Sequence, residues 1–277
     1  MSSLVRGKLR PLPLPMPELP LLPGGREEMS PYASLALRPR REVLQPPRDV
    51  DERAFYRWIL GHHIAFGVWR MLIDLFEKVI DKGLSADYLV QASAWYDRYS
   101  ATQVYAGSCS PSTYATVIRP RMVACNPAFS GMWARDHERV LTLLGALDIP
   151  AGCVLEEALK RHRLIHMDLA KFLVPAGKSL LKQAGRFSHD PITDSERDQF
   201  DGFFMIARGP VPVGEFQAQM LRRIAAARCD LLTYPINSTE LSVVQNLLPA
   251  DVPTCLRDIA IDLIKLEPPC TSINASG

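Results

Sequence analysis

The longest apolar pattern in the sequence starts shortly after residue 50. Apolar residues recur at helical spacing from Phe55 to Ile80, and the run stops at Gly83, a residue type that commonly ends helices. Asp49 or Asp51 can cap its start, because a carboxylate there accepts hydrogen bonds from free backbone N–H groups of the first turn. The pattern predicts a helix of nearly thirty residues, about 45 Å long, which must cross the whole domain.

Further helical patterns follow, and strand signals are scarce. Ser85–Ala106 carries aromatic residues at helical spacing, and the composition of residues 107–113 predicts a loop. Ser112 or Thr113 can cap a further short helix before Pro120. No hairpin dipeptide joins alternating apolar runs, so we expect an all-α fold, a single helical-bundle domain. The remaining helices are predicted at about residues 127–146, 153–174, 194–207, 213–233, 238–247 and 252–266.

Residues 1–50 differ in composition from the rest of the chain. Prolines recur through the first half of this segment, which disfavours helix and favours an extended, polyproline-like course. The leucines between the prolines are too apolar for a solvated linker, so we expect at least part of the segment to pack along the body or on a second subunit. The sequence therefore predicts a Pro-rich N-terminal arm over 1–50 and a helical domain over 51–277, and it leaves open a homodimer with exchanged arms.

Composition and charge narrow the expected partners. The chain has 277 residues, 47% of them hydrophobic, and its 32 basic and 30 acidic residues give a net charge of +2. Such a balance does not favour nucleic-acid or membrane-surface binding, so a small ligand is expected. The six cysteines lack metal-site or disulfide spacings, and the N-terminal prolines interrupt any signal-peptide core, so we expect reduced thiols in a cytoplasmic protein. No run reaches the roughly 18 uninterrupted apolar residues of a membrane span.

Two adjacent histidines lie within the long apolar helix. His63 shares a helical face with Phe66 and Gly67, and it lies within two turns of Trp69 and Arg70. A histidine beside a glycine and two aromatic residues makes a flat, apolar wall with one titratable nitrogen. This face is therefore the predicted wall of a pocket for a planar ligand.

A second pair of histidines lies on the helix predicted at 153–174. His162 and His166 are four residues apart and share a face with apolar neighbours. The glutamate of the His-Glu-x-x-His zinc motif is missing, and no third ligand lies nearby, which argues against zinc. His166 and Asp168 also form a His-x-Asp pair, but residues two apart on a helix diverge by roughly 200°, so they do not form an iron site of the oxygenase type.

These two helices resemble those of the tryptophan 2,3-dioxygenase family. The segment GHHIAFGVWRMLIDLFEKV is similar to that family's distal helix, and EALKRHRLIH is similar to its proximal helix, which carries the haem-ligating histidine. The loop Ser110–Tyr114 resembles the family's Ser-Ser-Gly-Phe turn, whereas its Gly-Thr-Gly-Gly-Ser-Ser loop has no counterpart. With its short chain and Pro-rich arm, the sequence looks more like the bacterial haem-dependent tyrosine hydroxylases of the same superfamily. The matched positions are His63, Ala65, Phe66 and Trp69 on the first helix and Glu157, Ala158, Leu159 and His166 on the second.

The resemblance implies a haem-binding catalytic domain over 51–277 and a set of roles. Haem b iron would be held by His166, with His162 as the reserve axial ligand, and His63 would be the acid–base catalyst opposite. Trp69 and Arg70 would contact the haem, Arg70 through a propionate. The substrate contacts implied are Phe66 and Tyr114 for the ring and Arg119 or Arg121 for the carboxylate.

The implied reaction is hydroxylation of L-tyrosine at ring position 3, which gives L-3,4-dihydroxyphenylalanine for antibiotic or other natural-product biosynthesis. Hydrogen peroxide is the expected oxidant, with dioxygen plus a reductant as the alternative. Two rival functions stay open from the sequence: a haem oxygenase that acts on a tryptophan-derived indole, and a cofactor-free helical binding protein whose histidines are packed in its core.

Overall fold

The computed structural model describes residues 9–24, 45–175, 177–236, 241, 244 and 246–266. Helices dominate this part of the chain, which confirms the predicted all-α class. In chain order the elements are β1 (Leu12–Leu14), α1 (Val50–Lys82), α2 (Ala86–Ala106), α3 (Pro111–Thr113), a π-helical turn (Tyr114–Ile118), α4 (Arg119–Cys125), a 3-10 turn (Gly131–Trp133), α5 (Arg135–Gly145), α6 (Val154–Leu173), α7 (Leu180–Gln183), α8 (Asp194–Phe203), β2 (Ile206–Arg208), α9 (Val213–Thr233) and α10 (Val252–Ile264).

Helix α1 is the central element of the core. It runs for 33 residues, about 50 Å, and most of its side chains are buried. The Asp49 side chain accepts a hydrogen bond from the Glu52 N–H, and Gly83, at φ 90°, closes the other end with its N–H on the Val79 carbonyl. The start and end predicted from the sequence are therefore confirmed, and the helix is a few residues longer than predicted.

The same helix is long and apolar enough to cross a membrane by length and composition alone. However, 89% of its most apolar 18-residue window is buried inside the protein, as in the core helix of a soluble protein. α2, which Ser85 caps, packs against both α1 and α6, so it stands between the two helices that carry the histidine pairs. α9 packs on another side of α1, and α10 packs against α2 and α9.

The segment between α2 and α5 departs from the prediction. Ser110, rather than Ser112 or Thr113, caps the helix, and the helix continues beyond Pro120 to Cys125. The wide π turn at Tyr114–Ile118 allows this, because it opens the hydrogen-bond ladder where the proline has no N–H to donate.

Other predicted boundaries also shift. The helix expected over 127–146 divides into the 3-10 turn and α5, and the helix expected over 194–207 ends at Phe203, before β2. Most of the helix predicted at 238–247 lies outside the described residues. The five cysteines in the described ranges form no disulfide bonds with one another, and Cys270 lies outside those ranges.

The described part of the N-terminal arm, residues 9–24, packs on the body of its own chain. β1 pairs in parallel with β2, with Leu12 opposite Ile206 and Leu14 opposite Arg208. Leu12 and Leu14 are fully buried, because alternate side chains of an extended strand point to the same side. The expectation that part of the arm packs along the body is confirmed for these residues, whereas this small parallel pairing was not predicted. The homodimer stays a prediction.

Candidate functional site

A cavity of about 580 Å³ opens beside α1 and α2. Its walls come from these two helices, from α5, α6 and α8, and from the chain around the π turn and residues 129–132. Most of the lining side chains are apolar or aromatic. Such a cavity is the default candidate for a small-molecule or cofactor site.

His62 enters this cavity from α1. Its Nδ1 lies 2.6 Å from the Trp58 carbonyl oxygen, which only accepts, so Nδ1 carries the ring proton. Burial lowers the pKa of His62 to about 4, so the imidazole is neutral at neutral pH. The ring stacks on Phe204 at 4.2 Å between centroids. Its Nε2 makes no hydrogen bond with any described residue, so this nitrogen offers a free lone pair.

His166 reaches the same cavity from α6. Its Nδ1 lies 3.3 Å from the Gln103 side-chain amide, and its Nε2 has no hydrogen-bond partner in the described part of the chain. His166 is an exposed residue, but desolvation by the surrounding protein still lowers its pKa, so the neutral imidazole is favoured at neutral pH. The two histidines therefore belong to helices on either side of α2, and both line the same cavity with an Nε2 atom that has no hydrogen-bond partner in the described residues.

His137 of α5 is a third lining histidine, and sequence reasoning assigned it no role. Burial, and then the neighbouring His166, lower the pKa of His137 to about 4. Its ring lies 5.4 Å from that of Trp69 and 6.0 Å from that of Tyr99. No short motif marks this position, because the three lining histidines come from three helices far apart in the sequence.

Among the described residues, no group of three His, Cys, Asp or Glu side chains is close enough to hold a metal ion directly. One neutral imidazole nitrogen beside broad aromatic walls fits a flat cofactor that brings its own metal, as haem does.

Basic and hydroxyl groups lie at another part of the wall. Arg119 and Tyr114 both line the cavity, and the Arg119 guanidinium donates to the Lys178 carbonyl at 2.9 Å. Burial raises the pKa of the Tyr114 hydroxyl, while the nearby Arg119 opposes that rise. Lys171 also lines the cavity. This region can receive a carboxylate.

Five of the predicted site residues line the cavity or lie close behind its wall. His166, Trp69, Tyr114 and Arg119 line it, and the Trp69 ring meets the Tyr99 ring edge-on at 5.4 Å. Phe66 lies behind the wall instead, fully buried, with its ring against Trp69 at 4.9 Å.

His63 and Arg70, in contrast, face away from the cavity, which corrects the sites predicted for them. His63 is fully buried, with Nε2 at 2.6 Å from the Phe204 carbonyl and Nδ1 at 3.1 Å from the Arg223 Nε. Arg70 binds the carbonyls of Pro17 and Leu19 in the arm. The cavity face of α1 is rotated by about 100°, one residue, from the face that carries His63 and Arg70.

His162 and Arg121 are also outside the cavity wall. His162 Nδ1 lies 3.0 Å from the Ser100 hydroxyl, and its ring stacks on Tyr99 at 4.4 Å. Arg121 binds the Val117 carbonyl and lies over the Phe55 ring. The sequence left open two choices, His166 or His162 as the haem ligand and Arg119 or Arg121 as the carboxylate partner. His166 and Arg119 are the residues of these pairs that line the cavity.

Comparison with known proteins assigns the chain to a family. A comparison with curated proteins gives no match. A family model, however, matches residues 23–163, just over half of the chain. The matched region contains His62, His137 and Gln103, and it ends three residues before His166. The family consists of haem peroxygenases that act on a tyrosine derivative. A helical body with two neutral histidines facing one apolar cavity, together with this match, shows that the chain belongs to the SfmD 3-methyl-L-tyrosine peroxygenase family.

Proposed function

We propose that this enzyme hydroxylates the ring of L-tyrosine at the carbon next to the phenol, with hydrogen peroxide as the oxidant. One ring C–H bond and one O–O bond break, and a ring C–OH group and water form. Family membership supports the reaction class. The observation that carries the assignment to this cavity is the pair of neutral imidazoles, His62 and His166. Each lines the same apolar cavity, and the Nε2 of each has no hydrogen-bond partner among the described residues.

His166 is the proposed axial ligand of haem b, through its Nε2. Gln103 would then accept from the Nδ1–H, since the amide oxygen and nitrogen exchange places by a half-turn and the oxygen is buried without a partner. No cysteine occurs among the lining residues of the described chain, so a thioether-bound haem is not favoured. When bound, haem supplies the activation of peroxide for oxygen transfer.

His62 is the proposed acid–base group, in place of His63. Its Nδ1–H is fixed on the Trp58 carbonyl, so its Nε2 can accept a proton from hydrogen peroxide and return it to the oxygen that leaves as water. The pKa of about 4 keeps this nitrogen unprotonated before the reaction, and the stacked Phe204 ring restricts its orientation.

Arg119 is the proposed partner of the substrate carboxylate, and Tyr114 and Trp69 are proposed to border the substrate. A guanidinium binds a carboxylate through two parallel hydrogen bonds, which would also orient the aromatic ring. His137, which lines the cavity as a neutral imidazole, is a further candidate partner for the phenol.

The first test compares haem binding by the wild type, His166→Ala and His162→Ala. His162 is a matched control, because it lies one turn away on the same helix and outside the cavity wall. The expected result is a Soret band in the wild type and in His162→Ala that is lost in His166→Ala. An equal Soret band in all three proteins would contradict the assigned ligand, and a pyridine haemochrome spectrum identifies the haem type.

The second test supplies hydrogen peroxide with L-tyrosine, 3-methyl-L-tyrosine or L-tryptophan and identifies the products by mass spectrometry. We expect ring hydroxylation of L-tyrosine. A product from 3-methyl-L-tyrosine alone would replace the proposed substrate and keep the reaction class. Oxidation of L-tryptophan alone would overturn both the substrate and the tyrosine-hydroxylating function.

A further inference from the structure

Arg223, on α9, is a buried cation whose bonding capacity is completely filled. Its Nε donates to His63 Nδ1, one terminal nitrogen donates to the carbonyl and side-chain oxygens of Gln219, and the other donates to the carbonyls of Arg10 and Pro11. These contacts use all five N–H groups of a guanidinium. None of the five acceptors is a carboxylate, and burial lowers the pKa of Arg223 to about 9.

Burying a cation without a counter-ion is costly, so its neutral partners must be held in place for the arrangement to persist. Two of those partners belong to the N-terminal arm. Two further arginines also bind arm carbonyls: Arg208 binds that of Pro15, and Arg70 binds those of Pro17 and Leu19. The arm is thus fixed by arginines from three elements, α1, β2 and α9, in addition to its short strand.

His63 connects Arg223 to the cavity wall. The Phe204 carbonyl only accepts, so His63 Nε2 carries the proton and Nδ1 accepts from Arg223. Only the neutral imidazole in this one tautomer satisfies both contacts. The bond from Nε2–H fixes the backbone of Phe204 at 2.6 Å.

Phe204 completes the connection. Its side chain lines the cavity and stacks on His62, with ring planes 19° apart. The next residue, Met205, has a φ of 55°, and its carbonyl accepts a hydrogen bond from the Leu12 N–H of the arm. The backbone that carries the Phe204 ring is therefore held on one side by His63 and on the other by the arm.

We propose that the N-terminal arm is a positioning element for catalysis: residues 10–12, through Arg223, His63 and Phe204, hold the His62 ring in its working orientation. His63 is then a positioning residue and contacts no substrate. The proposal rests on the function proposed for His62, but the connection itself is testable without turnover.

Two pairs of variants test the connection. The first pair compares chains that begin at residue 12 and at residue 9. The shorter chain loses both arm acceptors of Arg223 but keeps β1 and the contacts of Arg70 and Arg208, whereas the longer chain keeps every described arm contact. The second pair compares His63→Leu with His63→Gln, since a glutamine amide, like the neutral imidazole, can both donate and accept a hydrogen bond.

The readouts separate positioning from general damage. In the chain that begins at residue 12 and in His63→Leu, we expect turnover to fall about 10- to 100-fold at an unchanged KM for tyrosine and an unchanged Soret band. In the same two proteins, without haem, we expect the pKa of His62, followed by NMR of labelled imidazole, to rise from about 4 towards the ordinary value because its packing loosens. The chain that begins at residue 9 should match the wild type, and His63→Gln should recover most of the turnover.

Folded variants in which the His62 pKa and the turnover both stay at wild-type values would overturn the proposal. So would a loss that appears only as a higher KM or as a lost Soret band, since that indicates damage to substrate or haem binding. If the wild type itself hydroxylates no substrate, the proposed function fails. The NMR comparison, made on the haem-free protein, then decides the arm connection separately.

Discussion

Two adjacent histidines lie on different faces of α1 and differ in how many of their ring nitrogens are hydrogen-bonded. On the cavity face, His62 uses one ring nitrogen for a carbonyl and leaves the other free. On the arm face, His63 uses both nitrogens, and the arginine bound to it uses all five of its N–H groups. His63 is fully buried and His62 is partly buried, and in both the surrounding protein lowers the pKa of the imidazole. The candidate catalytic histidine differs from the structural one because it has a ring nitrogen without a hydrogen-bond partner among the described residues, next to the cavity.

The largest expected effect is the loss of turnover when the free ring nitrogen of His62 is removed. His62→Phe keeps an aromatic ring against Phe204 but removes the nitrogen, so peroxide-dependent hydroxylation should fall about 100- to 10,000-fold, the usual contribution of a general acid–base group. Steady-state kinetics on haem-loaded protein with an unchanged Soret band measure the loss. Turnover within a factor of about two of the wild type would assign the proton transfer elsewhere, with His137 as the next candidate.

On the face of α1 that meets the N-terminal arm, we expect substitutions to lower the stability of the fold. Arg223→Met leaves five acceptors without their donor, and we expect the free energy of unfolding to fall by about 3–5 kcal/mol. Arg119→Met, at the cavity wall on α4, is the matched control and should cost less than about 1 kcal/mol, because it removes a hydrogen bond at a more open position. Urea unfolding of both variants makes the comparison, and equal losses would contradict it.

The glycines of α1 allow a comparison of packing on the two faces. A Cβ added at Gly61, on the cavity side, would lie 2.6 Å from Ala106 Cβ and 2.9 Å from its Cα, so α1 and α2 would have to separate. At Gly67 the closest atom is the Cε of Met220, at the end of a flexible side chain. We expect Gly61→Ala to cost about 1–3 kcal/mol and Gly67→Ala to cost less, as measured by thermal unfolding. A greater cost at Gly67 would show that Met220 cannot move.

A final expected effect is a dependence of stability on pH in the haem-free protein. Burial lowers the pKa of His62 and His137 to about 4, below the roughly 6.5 of an unfolded chain, so acid favours the unfolded state. Their stabilising effect is complete above about pH 6.5 and is lost as the pH falls towards 4. The melting temperature should drop over this range, and His62→Phe should reduce the drop by a few degrees. An identical drop in the variant would mean that other groups cause it.

Local sequence signals predicted much of the fold because the helices obey local rules. Asp49 and Gly83 bound α1 as expected, since caps act over a single turn of chain. The continuation of the helix beyond Pro120 was missed, because a π turn depends on packing around Tyr114 as well as on its own residues. The pairing of β1 with β2 joins residues nearly two hundred positions apart, and no local pattern specifies it.

The sequence by itself determined the helical class, the apolar arm, the histidine-bearing helices and the resemblance to histidine-ligated haem enzymes. Only the tertiary structure decided that His62 rather than His63 faces the cavity, that Arg119 rather than Arg121 reaches it, and that His137 joins them. The physical reason is that α1 is buried on nearly all sides, so its hydrophobic pattern does not identify which face meets a cavity. That choice depends on the neighbours of each face: α2, α5, α6 and α8 around the cavity, and α9 with the arm on the other side.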